Sequence, residues 1–250
     1  MAIAAAIVVA VSMLAERVKP FLAAMVATLP VSAGPSLVFL SLDHDDAFMR
    51  ATLIGAMVAN LAICSFVITY AGLAQKHGTL LSLGAAFALW VATGALLKPL
   101  AWTLPLALAA NALVYAAMIP LVAPFTRAPR PAVPPRSRWA LPARAAGVSV
   151  LVALITLLSA HLGPYISAFL AVFPIVLSSL VIILHPRIGG PATAAFIAST
   201  VSGLAGFGTA LACAAASMEW VGRYWALLIG LGVSLLWNGA LALWRHRRSA

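Results

Sequence analysis

The chain has 250 residues, of which 64% are hydrophobic and only 8% charged, with a formal net charge of +10. Ordinary soluble domains carry about 25% charged residues, so this much apolar surface excludes a water-soluble globule and makes lipid the solvent. In lipid only helices and closed barrels satisfy their own backbones. The apolar runs, roughly 16 to 26 residues long and without strand alternation, read as helices.

Taken in chain order, nine spans are predicted, at about 2–16, 20–42, 48–73, 79–97, 99–123, 145–161, 164–185, 191–217 and 222–244. The first and sixth are short for a bilayer and would be tilted, partial or re-entrant. Span one is followed by Glu16-Arg17-Val18-Lys19 rather than a small-residue cleavage site, so it reads as part of the protein rather than a signal peptide.

The second span carries Pro30 near its middle, and the seventh carries Pro174 at the matching place. A proline removes one helical hydrogen bond and clashes one turn back. Aligning the two spans also pairs Pro20 with Pro164, Ala24 with Ala168 and Leu40 with Leu184; similar offsets pair Val58 with Val201, Leu61 with Leu204 and Trp90 with Trp237. These blocks predict an internal repeat of four spans, with span five left over. Five crossings separate equivalent helices, so the copies would run in opposite directions. The expectation is an all-α polytopic membrane protein of about nine transmembrane helices, in an inverted 4+1+4 repeat with proline-broken helices. Its units would be residues 1–97, a linker helix at 98–123, a cytoplasmic linker at 124–144 and a second repeat at 145–250.

That linker, PFTRAPRPAVPPRSRWALPAR, holds six prolines and five arginines, which favours an extended tether. With the N-terminus outside, twelve of the fifteen lysines and arginines fall on inner loops and only Arg50, Lys98 and Arg223 on outer ones. The positive-inside rule then predicts N-out and C-in, in a bacterial-type inner membrane. The charge is thereby a topological signal, and nucleic acid is not needed to explain it.

Inverted repeats with discontinuous helices recur in secondary transporters, whose sites lie near the midplane. The predicted substrate path is Thr28, Pro30, Ser32 and Gly34 on span two and Pro174, Ser178 and Ser179 on span seven, flanked by Asn60 and Asn238. The competing reading makes both prolines simple kinks. Glu16 and His161, at equivalent span ends, are candidate proton-relay groups or else interfacial caps. No carboxylate lies deep in any span, which favours a channel, facilitator or flippase over a cation-coupled pump. Asp43-His44-Asp45-Asp46 reads as a solvated loop short of the ligands a divalent cation needs. Cys64 and Cys213 have no metal-ligand spacing. No catalytic motif is present, so no enzyme, cofactor or metal is expected.

The stretch GPYISAFLAVFPIVLSSLVIILH (163–185), with the spans on either side of it, resembles the GlpM-type family of small four-helix bacterial membrane proteins over residues 147–240. Ser167-Ala168 stands where that family's pattern tends to have Ala-Gly. The resemblance implies two antiparallel copies of a four-helix unit fused in one chain, and no particular substrate. The sequence reading is thus a permease for a small or amphipathic solute. Membrane lipids are its partners, and small-residue faces permit a homodimer. The alternative is a non-transporting scaffold that docks a cytoplasmic partner or anionic lipid.

Overall fold

A computed structural model describes residues 33–127 and 140–249, and every element in these residues is helical. Thr28, Pro30, Ser32 and Glu16 lie outside the described residues. In chain order the elements are α1 (Ala33–Asp43), α2 (Asp46–Leu73), α3 (Thr79–Leu97), α4 (Leu104–Val122), a 3₁₀ turn (Phe125–Arg127), α5 (Ala140–Ala171), α6 (Ile175–Ile188), α7 (Gly190–Ser199) and α8 (Val201–Ser249). Among the described residues, five helical segments are long and apolar enough to cross a membrane.

α2 is the hub. Asp45 caps it, its carboxylate accepting from the Phe48 amide at 2.9 Å, and Asp46 adds a negative charge to the first turn. Both choices offset the unpaired amides and the positive end of the helix dipole. The loop read as solvated is a two-residue capped turn with Asp43, Asp45 and Asp46 exposed, and His44 in it stacks on Phe48 at 3.7 Å and pairs with Ser159 Oγ at 2.7 Å. From Met49 to Ala71 α2 is buried on nearly all sides, packed by α3, α4, α5, α7 and α8. A helix apolar all round belongs in a core or a membrane.

α3 and α4 are the opposite case. α3 buries only Ser82, Ala86, Trp90 and Gly94, a stripe of every fourth residue; α4 buries Ala107, Asn111, Tyr115, Met118 and Val122, the same face of a 3.6-residue period. Their other faces expose large apolar side chains such as Leu80, Leu96 and Leu113. Soluble proteins rarely expose contiguous apolar surface on this scale, and lipid is the solvent that accepts it. Gly94 in the α3 stripe leaves room for the Phe169 ring, which stacks on Trp90 at 4.1 Å, and Phe87 and Phe173 complete the aromatic cluster.

Three glycines with positive φ break the helices: Gly163 (φ 73°), Gly189 (φ 82°) and Gly222 (φ 72°). Any Cβ disfavours this conformation. Gly163 divides α5, Gly222 divides α8, and Gly189 separates α6 from α7. A further interruption falls at Pro174, where φ −77° and ψ 53° end α5 and start α6.

One expectation changes. Residues 140–144, in the stretch assigned to an extended linker, are helical and belong to α5. Counted from Ala140, the portion before Gly163 is about 34 Å long at 1.5 Å per residue, longer than the apolar run of 145–161 alone.

Candidate functional site

One end of the bundle carries a cavity of about 770 Å³, within the range of small-molecule sites. Four separated stretches build it. Asp46, Arg50 and Ile54 come from the first turns of α2; Lys98, Leu100 and Trp102 come from the connection between α3 and α4. Pro164 and Tyr165 follow the break in α5, and Met218 and Glu219 precede the break in α8.

The walls are fixed by side-chain bonds to main-chain carbonyls. Trp102 Nε1 donates to Leu97 O at 2.8 Å, which folds the connection back on the end of α3. Tyr165 Oη donates to Gly94 O at 2.8 Å and ties α5 to α3. Gly55 lets α2 approach α5 closely, since a Cβ there would lie 3.1 Å from Ala168 Cβ.

The charges are mostly paired across the mouth. Arg50 Nε lies 3.2 Å from Glu219 Oε1; Arg223 Nη1 donates to Asp46 Oδ1 at 2.9 Å and its Nε to Ser41 O at 2.7 Å. Both pairs join the first half of the chain to the Gly222 region of the second. They are partly exposed, so water and salt screen both pairs. Lys98 has no ion-pair partner among the described residues. The opposite end gathers Lys76, His185 and Arg187: Tyr70 Oη pairs with His185 Nδ1 at 2.9 Å, and Gly190 packs against Ala74 O.

A polar core lies deeper, where α2, α4 and α8 cross. Asn60 Nδ2 donates to Leu204 O at 3.0 Å and to Asn111 Oδ1 at 3.3 Å. Asn111 Nδ2 donates to Met57 O at 3.1 Å and Ala107 O at 2.8 Å, while Tyr115 Oη donates to Asn60 O at 3.1 Å. Gly208 faces both amides, and its missing side chain is what lets them meet.

The residues predicted for a path are placed as follows. Pro174 is buried at the helix interruption, and Ser178 Oγ donates back to Pro174 O at 2.8 Å; Ser179 Oγ donates to Val176 O at 2.9 Å. Asn60 belongs to the α2–α4–α8 core. Asn238 is buried but donates within its own helix, to Ser234 O at 2.9 Å. Gly34 is half-buried in the first turn of α1, and His161 is exposed. The hydrogen bonds of Asn60 thus run to α4 and α8, and those of the Ser178 hydroxyl are local, to Pro174 O and Ile175 O. Among the described residues no three His, Cys, Asp or Glu side chains converge to hold a metal ion, and Cys64 and Cys213 are free thiols.

Sequence reading missed Asn111 and Tyr115 as partners of Asn60, and it missed the cavity. The signal was present in the topology count: Arg50, Lys98 and Arg223, the three cations assigned to outer loops, all stand at this one end. Compared with known families, characterised proteins and solved structures, the chain matches none.

Proposed function

We propose that the protein is an integral membrane permease in which solute enters the cavity between α2, α5 and α8. The observation that carries this reading is the cavity itself: a wall of ionic and aromatic side chains, built where two helices break, in a chain otherwise suited to lipid. Discontinuous helices around a polar cavity are the arrangement by which transporters expose backbone polar groups to solute.

The inverted repeat is part of the same proposal, and several contacts support it. Asn60 bonds Leu204 O, and in the repeat alignment Leu204 is the counterpart of Leu61, so α2 and α8 cross at equivalent points. α1 packs on α8 as α6 packs on α3, and these are equivalent pairs. The positive-inside bias puts the cavity on the outer face, with Lys76, Arg187 and the 124–144 stretch in the cytoplasm of a bacterial-type cell.

The test is thiol labelling from each side of oriented vesicles, in a chain with Cys64 and Cys213 replaced by alanine. Ala51→Cys, on the cavity wall, is expected to react with an impermeant reagent from the outer side only, and Ser178→Cys from the inner side. Leu80→Cys, exposed on the apolar face of α3, is expected to stay unlabelled. If Ser178→Cys reacts from neither side while Ala51→Cys does, the cavity is a closed vestibule. The protein is then a scaffold presenting its basic linker and Arg245-His246-Arg247-Arg248 to a partner.

A further inference from the structure

The end of the bundle away from the cavity is closed by a contact of a different kind, and residues 164–185 connect the two ends. Pro164 stands in the cavity wall, and His185 stands at the far end, paired with Tyr70. At 1.5 Å per residue this stretch supplies up to about 32 Å of helix, close to the roughly 30 Å of bilayer hydrocarbon. The interruption at Pro174 falls halfway along it.

Helix α6 (Ile175–Ile188) is a rod between two joints. At one end Pro174 has φ −77° and ψ 53°; at the other Gly189 has φ 82° and ψ 163°. Element-terminal residues of this kind absorb the dihedral changes of a hinge, so α6 can turn as a unit without being bent. Its buried stripe is narrow, Leu177, Ser178, Val181 and Leu184, and Ile182 on the outer side is exposed. α6 packs on α3, α5 and α7, and each of these also packs on α2, but α2 and α6 do not pack along one another.

Tyr70 and His185 cross that separation. The tyrosine is wholly buried on α2, its hydroxyl lies 2.9 Å from His185 Nδ1, and the two rings meet edge to face at 6.0 Å. Gly190, just past the second joint, seats against Ala74 O with no room for a side chain, which keeps that joint in place. With the joint held, the free motion of α6 is a roll about its own axis. His185 and Ser178 are seven residues apart, which at 100° per residue puts them within about 20° of the same face. A roll that carries His185 off Tyr70 therefore turns Ser178 out of its buried position as well.

We propose that the Tyr70–His185 pair is a latch on the inner end of the bundle. It holds α6 in the orientation that buries Ser178, and its release lets water reach the Pro174 interruption from the cytoplasmic side. The proposal rests on the permease reading and names the device that closes the inner end of that path.

The experiment times the labelling of Ser178→Cys by an impermeant reagent from the inner side, with Cys64 and Cys213 replaced by alanine. Tyr70→Phe is expected to raise the rate about two- to tenfold, the factor that one net hydrogen bond represents. His185→Phe is expected to do the same, and the two together to add nothing further. His185→Asn, which offers an amide near the place of Nδ1, is expected to stay close to the parent rate. Gln75→Ala, at the same end, loses only a bond to Ala71 O within α2 and is expected to change nothing. In a chain keeping Cys64 as its one thiol, Tyr70→Phe is expected to leave that buried group unreactive. Equal rates in Tyr70→Phe and its parent overturn the latch and leave the permease reading in place. Cys64 gaining reactivity overturns it too, because the fold as a whole has then loosened. No labelling of Ser178→Cys in any of these chains, with Ala51→Cys wet, removes the latch and the permease together.

Discussion

Gly208 offers the most direct check on the polar core. An alanine Cβ there would lie 2.6 Å from Asn111 Oδ1 and 3.0 Å from Asn60 Nδ2. Contacts of that length do not survive, so the two amides must separate. The 3.3 Å bond between them has no slack and is lost. Asn111 cannot simply retreat, because its Nδ2 is held by Met57 O and Ala107 O. Overpacking of this kind costs about 1–3 kcal/mol, and an interhelical hydrogen bond in a membrane protein adds about 0.6 kcal/mol. The better helix propensity of alanine returns up to about 1 kcal/mol. With the full return from helix propensity the net loss is about 0.6–2.6 kcal/mol, or a fall in Tm of roughly 1–10 °C for a chain of this size. Cys64 is buried one turn from Asn60, so a fluorogenic thiol reagent reports unfolding without added labels. Gly84→Ala is the matched control, on a face where nothing lies within 4 Å of the new Cβ. Equal melting of Gly208→Ala and Gly84→Ala would show that the amides do not meet as described.

Two further outcomes follow from local geometry. Gly222→Ala forces a side chain into φ 72° and ψ 168°, a region open essentially to glycine alone, and is expected to lose about 1–3 kcal/mol in the same melting assay, with Gly222→Asn losing as much as Gly222→Ala. Tyr70→Phe removes the hydroxyl that pairs with His185 Nδ1 and is expected to cost about 0.5–1.5 kcal/mol. His185→Phe should then have almost no additional effect in the Tyr70→Phe background, which a double-mutant cycle measures.

How far the sequence could be read depended on whether the information was local. Span four, at 79–97, coincides with α3, because Gly78 and Lys98 bound an uninterrupted apolar run. The divisions near 163 and 222 were legible because glycine and polar residues interrupt the hydropathy there. Asn60 stood out as an amide in a span, but its partner Asn111 lies 51 residues on, and only the crossing of α2 and α4 brings them together. The cavity was hidden for the same reason: its wall comes from four stretches, none unusual alone.

The breaks at Gly163, Gly189 and Gly222 are each one residue long, and that brevity has a rotational meaning. A helix turns by about 100° per residue, so one residue added at such a junction would swing everything beyond it by more than a quarter turn. At Gly222 that would carry Leu228 and Leu231 off the exposed face and bring buried Ser234 and Asn238 round towards lipid. The junctions therefore act as phase locks between successive helices.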